Sequence, residues 1–289
     1  MRREAKKRAA WFGWSRTLPG LALAAAALML PVTAKAQLSM PGEAFSSQVV
    51  LELYTAQGCA SCPPADAMMA ELAMREDVIA LALHVDYWDY IGWEDVFADP
   101  EHAERQKRYA RRHGHSTIYT PQVVINGVDI MEGFRVLQVM ETIAAHRANP
   151  APVDLLMERV SPDRLLITAR TQSAGDDAED DGALLAMTSR SGGMAAPAML
   201  GALASAPELQ PFDLQLVRYT PTAHVEILAG ENAGRRVQYF NIVTSWERIG
   251  GWDMQAPLEL SVPVEGSDPA VVILQEPGQG AIIAAARLR

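Results

Sequence analysis

The chain has 289 residues and a mass of 31.4 kDa, enough for one large domain or two ordinary ones. Hydrophobic residues make up 49% and charged residues 21%, which excludes disordered, collagen-like and coiled-coil proteins. A net charge of −10 argues against nucleic-acid binding, which needs clustered Lys and Arg against phosphate. Two cysteines are too few for a disulfide-stapled scaffold, so a hydrophobic core must hold the chain together.

The N-terminus has the pattern of an export signal. Residues 1–16 carry six basic side chains and one acid, and an apolar run of twelve residues follows at 21–32. That run is shorter than the roughly 20 residues that span a bilayer, and small residues precede Ala36. We therefore expect a signal peptide at 1–36, cleaved after Ala36, and no stable membrane insertion afterwards. The product would be periplasmic or secreted, with 18 Lys and Arg against 34 Asp and Glu, a net charge of −16.

The segment 37–149 is predicted to alternate strands and helices. The runs 48–54 and 78–85 are almost entirely apolar, as are the buried strands of a parallel sheet. A helix beginning at Pro63 joins them in a βαβ unit. The elements predicted after this unit are an aromatic loop at 86–93, a charged helix at 101–113, a strand at 122–126, an Asn126–Gly127 hairpin turn, a strand at 128–131 and a helix at 134–146.

The pattern changes after residues 149–152, where short strands separated by turns replace the helices. They are predicted at 153–160, 164–171, 183–188, 214–219, 224–229, 235–244, 258–262, 270–275 and 281–286. Such a series is typical of an antiparallel sandwich or barrel-like region. We therefore expect an α/β domain at 37–149 and a mainly antiparallel, sandwich-like β region at 150–289.

Cys59 and Cys62 form a C-x-x-C pair between the first predicted strand and its helix. A zinc site needs about four ligands, and the sequence offers neither a second pair nor suitably spaced His. A structural disulfide across two residues constrains little chain entropy. A redox pair fits the position, because the dipole and free N–H groups of a helix N-terminus stabilise a thiolate. In that case Cys59 lies exposed at the turn and attacks, and Cys62 is more buried and resolves the mixed disulfide.

Three motifs and two later segments of the chain resemble those of a known protein family. They are ELYTAQGCASCPPADAMMAELA at 52–73, HVDYWDYIGW at 84–93 and YTPQVVINGV at 119–128, followed by the segments 230–234 and 239–243. Together they resemble a family of secreted bacterial thioredoxin-like proteins of unknown function, domain of unknown function 1223. The resemblance covers nearly all of the chain after the export signal. It implies export and a thioredoxin-like fold for 37–149, and it supplies no reaction.

The resemblance also gives meaning to Thr120 and Pro121. In thioredoxin-like proteins a cis-proline begins the strand that faces the C-x-x-C turn, and the residue before it offers backbone groups to the substrate. The chain departs from the wider thioredoxin pattern in having Gly58 in place of a Trp and two prolines directly after Cys62. These departures argue against ordinary thioredoxin activity and leave the expected fold unchanged.

Two further residues have open alternatives. Glu52, in the apolar first strand, could shuttle protons for Cys62, because burial raises the pKa of a carboxyl group, or it could be an ion-paired strand residue. His84 could complete a metal site with the two cysteines, although such a His is more often structural.

The aromatic loop and the charged helix also have two interpretations. Tyr87, Trp88 and Trp93 could line a substrate groove beside Cys59 or pack against the second half of the chain. The basic helix at 101–113 is expected to show a solvated face.

The sequence thus predicts an exported thiol–disulfide oxidoreductase with no cofactor. Its partners would be protein thiols or disulfides of the cell envelope, and not nucleic acid. Two alternatives remain: a non-enzymatic binding module with a passive disulfide, and a copper- or metal-delivery protein.

Overall fold

A computed structural model describes residues 48–149, 152–172 and 211–288. These residues belong to one compact unit. The predicted signal peptide, its cleavage site at Ala36 and the strand predicted at 183–188 lie outside them. Within the described ranges, no helix is long and apolar enough to cross a membrane.

The first half of the described chain alternates strands and helices, as predicted. Its elements are β1 Val49–Thr55, α1 Pro63–Leu72, β2 Val78–His84, a 3₁₀ turn Asp89–Ile91, α2 Pro100–Arg112, β3 Gln122–Ile125, β4 Asp129–Glu132 and α3 Val136–Arg147. β1 and β2 run parallel, with Val49 opposite Val78 and Thr55 opposite His84. Every residue of both strands is buried, which explains their nearly uninterrupted apolar sequences.

The described residues of the second half, 152–172 and 211–288, form strands and their connections. The strands are β5 Val153–Ser161, β6 Arg164–Thr171, β7 Phe212–Glu226, β8 Arg236–Trp252, β9 Leu258–Pro263, β10 Ala270–Gln275 and β11 Ile282–Leu288. The prediction of separate strands at 214–219 and 224–229 was wrong, because β7 contains the first segment and runs on into the second as far as Glu226. Pro221 breaks the apolar pattern between them, but β7 continues to pair with β8 on both sides of it, through Thr220 and Thr222.

Eight strands from both halves form one large, mostly antiparallel sheet. Their order is β11–β10–β7–β8–β2–β1–β3–β4, and β8 joins the halves by pairing in parallel with β2, where Ala82 lies opposite Ile242. The other three strands, β5, β6 and β9, form a second sheet that shares an apolar core with β7, β10 and β11. The fold is therefore mixed α/β. Among the described residues the helices end before the boundary predicted at 149–150, and strands from both sides of it share the large sheet.

The predicted Asn126–Gly127 turn is confirmed. Both residues have positive φ angles, 46° and 70°, as a two-residue hairpin of type I′ requires. The turn also holds distant strands together through Asn126. Its side-chain Oδ1 accepts a hydrogen bond from the N–H of Val50, and its backbone carbonyl accepts one from the N–H of Ile282, each across 2.8 Å. A side chain at Gly127 would collide with the carbonyl of Gly280, so this position also needs glycine for space.

Candidate functional site at the cysteine pair

Cys59 and Cys62 are joined in a disulfide, with their Cα atoms 5.4 Å apart. The pair lies at the junction of β1 and α1, as predicted, and Cys62 is the N-cap residue of α1. The Cys62 carbonyl accepts the N–H groups of Ala65 and Asp66, which begin the helical hydrogen bonds. The disulfide is therefore held between a buried strand and the first turn of a helix.

Both cysteines are completely buried, at 0% relative exposure. The expectation that Cys59 lies exposed is therefore wrong. Its side chain belongs to an apolar cluster shared by both halves of the chain, and Tyr87 and Trp88 of the aromatic loop pack against that cluster. Ala60 and Ser61, between the cysteines, are the exposed part of the turn.

The start of α1 offers few backbone donors to a thiolate. Pro63 and Pro64 occupy the first two helical positions, and proline has no N–H. The next N–H groups, of Ala65 and Asp66, already bind the Cys62 carbonyl. The expected stabilisation of a thiolate by free N–H groups is therefore weak here, and the helix dipole is the remaining stabilising effect.

Thr120 and Pro121 lie beside the disulfide, joined by a cis peptide bond. The hydroxyl of Ser61 connects the two features, because it lies 3.5 Å from Sγ of Cys59 and donates to the carbonyl of Thr120 across 3.4 Å. Trp88 adds a second link by donating its Nε1–H to Oγ1 of Thr120 across 2.7 Å. The structure thus brings together five of the residues that the sequence singled out: Cys59, Cys62, Trp88, Thr120 and Pro121.

A loop from the second half also contacts the cysteine turn. Residues 227–235 connect β7 to β8, and we term this loop the strap. Asn232 is the buried side chain at its tip, 6% exposed between two exposed neighbours. Its Nδ2 donates to the carbonyls of Gln57 and Cys59, each across 2.9 Å. Asn232 was not among the predicted site residues, although it lies in the segment 230–234 that carries the family resemblance.

Ile91, at the end of the 3₁₀ turn, fills the space between the cysteine turn and the strap. A methyl group added to Gly58 would lie 2.9 Å from Cδ1 of Ile91, and one added to Gly230 would lie 3.5 Å from the same atom. Trp93 also binds the cysteine turn, by donating its Nε1–H to Oε1 of Gln57 across 2.7 Å. The aromatic loop therefore packs against both the turn and the second half, and its role as a substrate groove stays a prediction.

His84 and Asp95 form a buried pair near the turn. Nδ1 of His84 lies 2.7 Å from Oδ2 of Asp95, and both side chains are fully buried. The same carboxylate oxygen accepts the N–H of Gln57 across 2.7 Å. The rings of Phe97 and Tyr239 pack edge-on against His84. In the part of the chain that the structure describes, no group of three or more His, Cys, Asp and Glu side chains could hold a metal ion.

Asp66, one turn after Cys62, is a buried acid that sequence reasoning missed. It accepts a hydrogen bond from the hydroxyl of Thr55 across 2.7 Å. Burial raises the pKa of Asp66 from 3.8 to about 6, while the Thr55 hydrogen bond and the field of His84 act in the opposite direction. An acidic residue close after Cys62, in a helix that packs on the sheet, was the available sequence signal.

Glu52 is ion-paired, as one of its two interpretations expected. Arg105 of α2 donates to both carboxylate oxygens, across 2.7 and 2.8 Å, and the hydroxyls of Tyr54 and Tyr109 donate to them as well. The expected solvated face of the basic helix is wrong at Arg105, which is only 3% exposed because it pairs with this buried acid. A proton relay from Glu52 to Cys62 stays a prediction.

A family model described as a protein of unknown function (DUF1223) matches residues 50–198 and 186–275. The chain belongs to this family. The matched ranges of this DUF1223 protein include the cysteine pair, the Thr120–Pro121 bond and the strap. Among curated proteins, none matches the chain significantly.

Solved structures of two other proteins are similar to this DUF1223 protein. The crystal structure of protein AGR_C_4864 from Agrobacterium tumefaciens is 26% identical, with a TM-score of 0.62 over 86% of this chain and 95% of that one. HBP35 of Porphyromonas gingivalis is 12% identical, with a TM-score of 0.51 over 86% of this chain and 76% of that one. At that identity the second similarity concerns the fold alone.

Proposed function

We propose that this protein is an exported thioredoxin-like thiol–disulfide oxidoreductase that acts on protein thiols or disulfides of the cell envelope. The strand order β2–β1–β3–β4, with α1 between the parallel strands and α3 after the hairpin, supports a thioredoxin-like fold for 37–149. The observation that carries the proposal is the disulfide at the β1–α1 junction. The Ser61 hydroxyl links it to the Thr120–Pro121 bond, because it lies near Sγ of Cys59 and donates to the Thr120 carbonyl.

The exchange proceeds in two steps. A partner thiolate attacks Sγ of Cys59, so that a mixed disulfide forms, the Cys59–Cys62 bond breaks and Cys62 leaves as a thiolate that takes up a proton. A second partner thiolate then attacks the partner sulfur of the mixed disulfide and releases Cys59, which leaves the partner oxidised and the pair reduced. In the opposite direction the reduced pair donates the same two electrons to a partner disulfide.

The surroundings of the pair favour the second direction, in which the protein is a reductant. Burial in an apolar cluster disfavours thiolates. Pro63 and Pro64 remove backbone donors that stabilise the thiolate of strongly oxidising pairs. A less stable reduced form gives up its electrons more readily.

A second candidate is a binding module in which the disulfide is passive. The complete burial of both sulfur-bearing residues favours it, because an incoming thiolate must reach one sulfur along the S–S axis. In this case the large β-rich half would supply the recognition surface.

A redox titration followed by mass spectrometry, an insulin reduction assay and a trapping experiment distinguish the two. For an oxidoreductase we expect a measurable exchange potential, reduction of insulin by the reduced protein, and mixed disulfides on Cys59 of the Cys62→Ser variant. The Cys59→Ser variant is the matched control and should trap nothing. A potential far below about −300 mV, with no insulin reduction and an empty trap, would establish the passive disulfide.

A further inference from the structure

We infer that Asn232 is a positioning residue that holds the cysteine turn closed, so that the β-rich half of the chain controls access to the disulfide. The inference rests on the proposed function, because access to the disulfide matters only if the disulfide exchanges with thiols. The closed state, in which the strap covers the cysteine turn, depends only on the contacts of the strap.

The hydrogen bonds of Asn232 stabilise the turn from outside it. Within the turn, the N–H of Cys59 binds the carbonyl of Ala56 across 3.1 Å, and the N–H of Cys62 binds that of Cys59 across a longer 3.3 Å. The single amide group of Asn232 donates to the carbonyls of Gln57 and Cys59, from 175 and 173 positions away in the sequence. A buried carbonyl that loses a hydrogen-bond donor is costly, and without Asn232 the Cys59 carbonyl keeps the longer bond from the N–H of Cys62, so the two Asn232 bonds favour the closed turn.

Ile91 makes the strap and the aromatic loop one continuous cover. It contacts Gly58 on the turn and Gly230 on the strap, and Gly230 also packs against Cβ of Trp93, where an added methyl group would lie within 3.4 Å. Displacing the strap therefore uncovers Ile91 and loosens the aromatic loop over the disulfide. A side chain at Gly58 would force Ile91 to shift, and Gly230 has a positive φ of 77°, which favours glycine.

The strap has few buried contacts, so it can open without the rest of the fold. Of its nine residues only Ile227 and Asn232 are buried, and Leu228 is 70% exposed. A segment with so few buried contacts can open locally while the rest of the fold stays intact. Because the cysteines are 0% exposed when the strap is closed, the rate of exchange is proportional to the population of the open state.

The test is the rate at which dithiothreitol reduces the disulfide of the full-length protein, followed by alkylation and mass spectrometry. Removal of two hydrogen bonds from the closed state should speed reduction of Asn232→Ala by about tenfold or more. Asn232→Asp keeps the shape of the side chain and loses the donor, so it should react as fast as the alanine variant.

Asn241→Asp is the matched control for Asn232→Asp, because aspartate tolerates the positive φ of 47° at this position. Asn241 is also 6% exposed and donates one buried hydrogen bond, across 2.9 Å to the carbonyl of Ala80, away from the turn. Its loss weakens the fold without releasing the strap, so reduction should keep the wild-type rate. Equal acceleration by Asn241→Asp, or a wild-type rate in both Asn232 variants, would overturn the inference.

The urea dependence of reduction in the wild-type protein gives a second measure that needs no variant. Local opening exposes little surface, so the rate should rise only shallowly at low urea concentrations. A slope as steep as that of global unfolding would show that the strap is not the gate. These rates measure opening of the strap alone, so their interpretation does not depend on whether the protein reduces insulin. A passive disulfide would still become accessible when the strap opens.

Discussion

At the scale of single residues, the buried acid Asp66 has the clearest consequence for stability. Asp66 lies one turn into α1 and is buried, and burial raises its pKa from 3.8 to about 6. A carboxyl group with a raised pKa holds its proton more tightly in the folded chain than in the unfolded one. Its contribution to stability is complete below about pH 4 and is lost as the pH rises through about 6.

We expect Asp66→Asn to stabilise the protein at neutral pH. The amide cannot ionise, so the free energy of unfolding should rise by roughly 3 kcal/mol at about pH 7.5 and change little at about pH 4. Urea denaturation at the two pH values measures both numbers. Equal effects at both would contradict the raised pKa of Asp66.

Asp77→Asn is a control of opposite sign. Hydrogen bonds from Arg75 lower the pKa of Asp77, so its contribution is present at neutral pH and is lost as the pH falls below about 4. This variant should be less stable than the wild type at about pH 7.5 and nearly equal to it at low pH.

At the scale of elements, α2 connects strands that are far apart in the sequence. Besides Glu52 on β1, the Arg105 guanidinium reaches Gln215 on β7 and Gln275 on β10. Its central carbon also lies 3.6 Å from the ring centre of Trp246 on β8. One buried side chain of a mostly polar helix thus contacts both halves of the large sheet.

We expect Arg105→Met to cost on the order of 3–5 kcal/mol of stability, because it leaves Glu52 as a buried charge without a counter-ion. The double variant with Glu52→Gln should recover most of that loss. Guanidinium denaturation of the variants measures each free energy.

Lys107→Met is the matched control on the same helix, because Lys107 and its partner Glu104 are both nearly half exposed. Solvent screens such a pair, so the denaturation midpoint should not move. A shift for Arg105→Met no larger than for this control would contradict the role of the buried pair.

At the scale of the whole molecule, one apolar core joins the two halves. Ile79, Leu81 and Leu83 of β2 share a buried cluster with Val217 of β7 and Ile273 of β10. Separation of the halves would expose these side chains to water, and burial of such side chains is worth roughly 1.5–3 kcal/mol each. The division into domains at 149–150 stays a prediction that unfolding experiments can test.

We expect the protein to unfold in a single cooperative transition. Far-UV circular dichroism and tryptophan fluorescence should give coincident curves, and the calorimetric and van't Hoff enthalpies should agree. Reduction of the disulfide should leave the transition single, because a bond across two residues constrains little of the unfolded chain. Two separate transitions would mean that the halves are independent domains.

The order of elements and the position of the disulfide could be predicted because local patterns decide them. Continuous apolar runs produced β1 and β2, and Asn126–Gly127 produced a turn that needs positive φ at both positions. The exposure of Cys59 could not be predicted, because it depends on what covers the turn. For the same reason the sequence left Glu52 with two interpretations, since its partner lies 53 positions away.

The sequence by itself determined the α/β alternation, the strand-rich second half and the C-x-x-C pair at a strand-to-helix junction, because backbone and periodicity rules act over a few residues. The tertiary structure decided that the pair is buried, that Asn232 holds its turn and that Arg105 neutralises Glu52. These outcomes depend on side chains brought together from 53 to 175 positions apart. No local pattern encodes such a distance, so the features that control access to the disulfide appear only when the chain is folded.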